Sequence, residues 1–189
     1  MEITELLNKH RDYYLNHFID LLNHSDGGAS ELLLEMKNDE SEELFRLYRY
    51  DLVTKKEDGH GITEFNTDGF LNHQNISYTL GNKTIILSPI VWNGVEVSIN
   101  DSSIGFDMVK KWAFKWLDVN DDKEANSNNL QGVIHSMTKP ESENNWTTFS
   151  IDFGSSPVES VMELLDILIN DPKTTIIKLE STCVTKNKN

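Results

Sequence analysis

The chain has 189 residues, 38% of them apolar, which suits one domain with a real core. Its 31 acidic residues against 17 basic ones give a formal charge of −14. A surface that acidic repels nucleic acid and anionic lipid, because phosphate neutralisation supplies most nonspecific binding. It suits a basic partner that is steered in on long-range fields. No apolar run nears the ~20 residues of a membrane span. The first residues, MEITELLNKHRDYY, lack the basic and apolar regions of a secretory leader. The lone Cys183 cannot form an intrachain disulfide, so a reduced, cytoplasmic protein is expected.

Residues 2–23 place Ile3, Leu6, Leu7, Tyr14, Phe18, Leu21 and Leu22 on one helical face, which predicts an amphipathic helix. Ser30 is positioned to cap a second, short helix through Leu32–Met36. These two make an N-terminal helical part, residues 1–40, followed by the exposed acidic stretch NDESEE. Residues 44–54, LFRLYRYDLVT, fit a strand better than a helix by their aromatic and β-branched content. Turn pairs then recur: Asp58-Gly59, Asp68-Gly69, Gly81-Asn82 and Asn93-Gly94. The last is flanked by apolar runs and predicts a hairpin. Residues 44–100 are expected to form an antiparallel meander.

Residues 104–117 carry Phe106, Val109, Trp112, Ala113 and Trp116 on a helical stripe. The acidic loop DVNDDKEAN follows, and its length is unexplained by packing alone. GVIHSM and NWTTFSIDF read as two strands joined through TKPESEN. A helix at 157–170, a strand at 174–181 and a frayed tail at 183–189 end the chain. The expected class is α+β in a single domain, with helices on one face of a mainly antiparallel sheet spanning 41–182.

In GSSPVES, Ser156, Pro157 and Glu159 suit the N-cap, N1 and N3 positions of a capping box. The stretch lacks the second glycine of a nucleophile elbow and the glycines and lysine of a phosphate loop, so it is expected to be a structural turn. His135 and Asp152 fall on neighbouring predicted strands and make a candidate acid–base pair, with Ser136, Ser150 or Ser155 as the nucleophile of a small hydrolase or transferase. The scattered histidines and lone cysteine offer no metal motif, and no cofactor is implied. Asp118, Asp121, Asp122 and Glu124 are candidate partner contacts, together with Trp92 and Trp146, which sit beside turns and are expected to be exposed.

The elements WAFKWLDVNDD, GVIHSMTKPE and FSIDFGSSPVESVMELLDIL, within residues 90–180, together resemble the small acidic immunity proteins encoded beside bacterial polymorphic toxins of the contact-dependent inhibition or Rhs type. The resemblance implies a non-enzymatic inhibitor that binds a cognate toxin domain and occludes its active site. It transfers no residue roles. An adaptor or chaperone working through the N-terminal helix is the further alternative.

Overall fold

The computed structural model describes residues 2–25, 27–37, 42–57, 59–67, 69–100 and 106–181. The predicted tail at 183–189, Cys183, and the first four residues of the NDESEE stretch, 38–41, lie outside them. Helix α1, Ile3–Asn23, buries Leu6, Leu7, Tyr14, Leu15 and Phe18, as its periodicity predicts. Helices α2, Asp107–Leu117, and α3, Val158–Asn170, bury Val109, Trp112, Ala113 and Leu117, and Val158, Val161, Leu164, Leu165 and Leu168 respectively. Helix α3 packs against both other helices.

The strands fall into two sheets, and the class is α+β. A three-stranded antiparallel sheet has the order β1-β2-β3, with β1 at Ala29–Glu35, β2 at Leu47–Lys56 and β3 at Gly59–Thr63. The larger sheet has the order β4-β5-β10-β6-β9-β7, with β8 also on β9. Its strands are β4 (Ile76–Leu80), β5 (Lys83–Leu87), β6 (Val95–Asn100), β7 (Ser136–Met137), β8 (Glu141–Glu143), β9 (Trp146–Asp152) and β10 (Ile176–Glu180). Alternate residues of β6 and β9, namely Val95, Val97 and Ile99, and Thr147, Phe149 and Ile151, are buried beneath the helices. The other face of β9 carries Trp146, Thr148, Ser150 and Asp152, because strand side chains alternate.

Several expectations are corrected. The segment after Ser30 is not a short helix but strand β1, whose Leu32 and Leu34 lie opposite Tyr50 and Tyr48 of β2. Three leucines are too few to nucleate a helix, and cross-strand aromatic pairs hold them extended. The meander over 44–100 is divided: β2–β3 and β4–β5 are hairpins in different sheets, and β6 stands apart. Asn93-Gly94 does not join paired strands, because β10 inserts between β5, which it pairs in parallel, and β6, which it pairs antiparallel. The segment instead makes a local turn, with the Gly94 amide donating to the Val91 carbonyl at 3.0 Å. Trp92 is not exposed; it is 1% accessible and packs on Phe153.

The capping box does not form. Pro157, extended at φ −73° and ψ 161°, occupies the N-cap position and the helix begins one residue later, at Val158. Ser156 is buried and its hydroxyl lies 3.0 Å from that of Ser160, while Glu159 is exposed. Proline displaces the serine because its fixed φ suits the entry to the helix.

Candidate functional site

The buried imidazole of His135 gathers carboxylates from three other parts of the chain. Its Nε2 lies 2.8 Å from Oε1 of Glu31 on β1. Its Nδ1 lies 2.9 Å from Oδ1 of Asp51 on β2, but out of line for a hydrogen bond, and 3.8 Å from Oδ1 of Asp152 on β9. The backbone brings these groups together: the His135 amide donates to the Asp152 carbonyl at 2.8 Å, and the Arg49 amide donates to the His135 carbonyl at 2.9 Å.

Glu31 reaches the cluster through a left-handed backbone, φ 55°, at the position opposite Asp51 where the β1–β2 ladder is interrupted. Its carboxylate also accepts from the amides of Ser155, at 3.2 Å, and Gln131, at 2.5 Å. A carboxylate with several donors is stabilised in its charged form. Burial would raise the Glu31 carboxyl, but His135 and these amides outweigh burial and hold it below its ordinary value. For His135 itself, burial favours the neutral ring, yet the charge of Asp152 and the contacts with Asp51 and Glu31 prevail and hold it well above the ordinary histidine range. The carboxylates around the ring thus favour its protonated form. Asp152, with 16% of its side chain exposed, is pushed up to about 7, first by burial and then, against the pull of His135, by Asp51.

The GSSP turn closes over this centre. Gly154 has φ +46°, and a Cβ there would overlap the His135 ring. The glycine is thus required twice, by its backbone conformation and by the imidazole beside it. Ser155 accepts from the Gly132 amide at 2.8 Å and the Val133 amide at 3.3 Å. Arg11 of α1 donates to the carbonyls of Ser156, at 2.7 Å, and Ser155, at 3.1 Å.

These contacts decide the chemistry. Glu31 stands between His135 and Ser155, so no Ser–His couple forms there. Ser136 and Ser150 lie on a cleft wall, and His135 has both nitrogens turned to carboxylates. A base must reach the proton that it abstracts, and the His135 side chain is only 1% exposed.

Beside the cluster is an open cleft of about 230 Å³, lined by Tyr48, Asp51, Glu64, Phe65, Asn93 and Asp152 with Ser136 of β7, Ser150 of β9 and Thr138 just after β7. No lysine or arginine is among its lining residues. The Tyr48 hydroxyl donates to Oε1 of Glu64 at 3.2 Å. That phenol is raised, first by burial and then by the charges of Glu64, Asp152 and Asp51. The field of these carboxylates therefore converges on the cleft.

The acidic loop has a different role from the one its composition suggests. Arg49 on β2 is fully buried. Its Nε donates to the Leu117 carbonyl at 2.8 Å, Nη1 to the Glu31 carbonyl at 2.7 Å and to Gln131 Oε1, and Nη2 to the Asp118 carbonyl at 2.8 Å and Asp121 Oδ1 at 2.9 Å. Asp118 and Asp121, both left-handed, are thus drawn inward as counter-ions, and Asp118 is nearly buried. Asp122 and Glu124 remain exposed. Trp146 is half-buried, with Lys178 Nζ 4.2 Å from its ring centroid.

Sequence reasoning paired His135 with Asp152 but missed Glu31, Asp51 and Arg49. Their one signal is charge at alternate positions of LYRYDL, where Arg49 and Asp51 point inward. Among the described residues no group of histidine, cysteine, aspartate and glutamate is arranged to hold a metal ion, and no helix is long and apolar enough to cross a membrane. Comparison with known protein families, with curated proteins and with solved structures finds no match for the chain.

Proposed function

We propose that this chain is an immunity-type inhibitor, which binds a basic toxin domain and covers its active site. The observation that carries the proposal is the acidic cleft of Asp51, Glu64 and Asp152, whose lining holds three carboxylates and no lysine or arginine on a chain of charge −14. Such a surface recruits cations and speeds encounter with a basic partner. The resemblance within residues 90–180 supports the same assignment. The test is to capture the partner with the tagged chain from its native cells and then express that partner with and without the chain. Arrest of growth by the partner alone, relieved by co-expression, is the expected result. A captured partner that is harmless when expressed alone overturns the proposal.

One observation favours an enzyme. Asp152 lines an open cleft with a carboxyl pushed up to about 7, the range of a working acid–base group. His135 then serves as a positioning residue behind it. In that case Asp152→Asn abolishes protection while leaving the complex intact, whereas an inhibitor that only occludes keeps both.

A further inference from the structure

The cleft is continuous with an apolar strip on the small sheet. Tyr48 lines the cleft, and Leu34 lies opposite it across β1–β2. Leu32 lies opposite Tyr50, whose ring meets that of Tyr48 edge-on at 5.1 Å. Residues opposite each other in an antiparallel pair share a face. Leu32 is 37% and Leu34 42% accessible, so much apolar surface on this face stays in water. Beyond it, β3 ends at Thr63; past that point the Arg49 amide of β2 donates to the His135 carbonyl instead, and the chain at 64–66 forms the cleft wall.

Two properties of the cleft select its occupant. Its volume of about 230 Å³ is below the ~300–1,000 Å³ of small-molecule sites, and suits a side chain rather than a whole substrate. Its charge is incomplete: one imidazolium faces Glu31, Asp51 and Asp152, and Glu64 adds a further carboxylate on the rim. Asp51, with a side chain only 6% exposed, lines the cleft and has one oxygen without an aligned donor. Asn93 is tied to the Phe65 carbonyl and Phe65 to Asp51, at 2.8 and 2.6 Å, so the wall is already set in place.

We infer that this surface is the docking site for an extended basic segment of a protein partner: one arginine or lysine enters the cleft between Glu64, Asp51 and Asp152, and the apolar residues flanking it lie on Leu32, Leu34, Tyr48 and Tyr50. The assignment deepens the inhibitor proposal, because it names the chemistry by which the partner is held. Charge complementarity and the adjoining apolar strip identify the occupant as a peptide rather than a free cation. Entry of a guanidinium also places a positive charge beside Asp152 and favours its charged form, so binding releases protons near neutral pH.

The test uses the intact chain and three probes: the peptide acetyl-Leu-Arg-Leu-amide, the same peptide with neutral citrulline for arginine, and methylguanidinium. Binding is followed by amide chemical shifts and by calorimetry in buffers of different ionisation enthalpy. The arginine peptide is expected to shift the amides of Tyr48, Phe65, Gly94 and Asp152. It should bind at least ten-fold more tightly than the citrulline peptide and than methylguanidinium. Glu64→Gln, an exposed change that keeps an acceptor for Tyr48, should weaken it several-fold. Equal binding of arginine and citrulline peptides overturns the charged occupant. Equal binding of methylguanidinium and the peptide overturns the apolar strip and leaves only a small-cation site. Shifts confined to other residues overturn the location. Partner capture and growth protection are read separately, so a cleft that fails with these probes while protection persists removes the docking site and leaves the inhibitor proposal standing.

Discussion

Arg49 and His135 are both buried cations on a shared backbone hydrogen bond, yet they are built on opposite terms. The guanidinium has five donors and spends each on a carbonyl, an amide oxygen or a carboxylate. It also caps the Leu117 and Asp118 carbonyls at the end of α2, where a cation is favoured. The imidazolium has two donors and three carboxylates, only one of them well aligned. A saturated centre is a fastener. An unsaturated one, opening at Asp51 and Asp152 on a cleft, has capacity left for something that the chain does not itself provide.

The sharpest way to break the comparison is Arg49→Met. It removes the guanidinium from the carbonyls of Leu117 and Glu31 and the counter-ion from Asp118, and should cost about 3–5 kcal/mol, as does removal of one partner of a buried pair. Chemical denaturation measures it. A loss under ~1 kcal/mol would show that water replaces the guanidinium and that the centre is no fastener. Gly154→Ala should cost about 1–3 kcal/mol from its left-handed backbone, and more if the His135 ring cannot move away. A crystal structure of the variant should show the ring displaced from Glu31.

His135→Gln sharpens the contrast through pH. It leaves Glu31, Asp51 and Asp152 repelling one another, so the variant should be destabilised by about 1–3 kcal/mol at pH 7 and markedly less at pH 5, where the carboxyls can protonate. Arg49→Met gains no such relief, because Asp121 is half exposed. In the native chain the sign follows from the folded values. His135 is held well above its unfolded value and Asp152 at about 7, so the folded state keeps protons that the unfolded chain has released. The Asp152 contribution is therefore full below about 3.8 and is lost as pH rises to about 7, whereas that of His135 is full below about 6.5 and is lost as pH rises above it. His10, lowered to about 4 chiefly by burial and then by His73, works in the opposite direction, but only between about 4 and 6.5. Urea midpoints that stay flat from pH 6.5 to 9 would mean that the ring is neutral. The smallest effect is Asp121→Asn, at ~1 kcal/mol or less, since this carboxylate is half in water. Association kinetics of the acidic loop are best probed with Asp122→Asn and Glu124→Gln, which leave Arg49 intact.

Part of this contrast was legible in the sequence. The alternation of WTTFSID fixes which face of β9 is buried, and hence that Asp152 and Trp146 share the other. The strand at residues 44–54 was legible too, but not its orientation. In LYRYDL the tyrosines look like the core face, whereas Arg49 and Asp51 are the inward residues, an arrangement that pays only when distant partners exist. Glu31 was hidden within an apolar run, and its contact lies 104 residues away at His135. The acidic loop looked solvated because nothing local marks Asp118 and Asp121 as counter-ions of a strand arginine. The Asn93-Gly94 signal was sound locally and lost to a long-range insertion.

That insertion, β10 between β5 and β6, has a consequence for how the molecule forms. Ile177 and Leu179 are wholly buried and sit at the middle of the larger sheet, yet they come from the last described strand. During synthesis β5 and β6 emerge some eighty residues earlier and present unpaired edges until residues 176–180 arrive. Closure of so large a loop, including a parallel pairing, delays the final step of folding. Until those residues arrive, the two halves of the larger sheet stay open to wrong pairings.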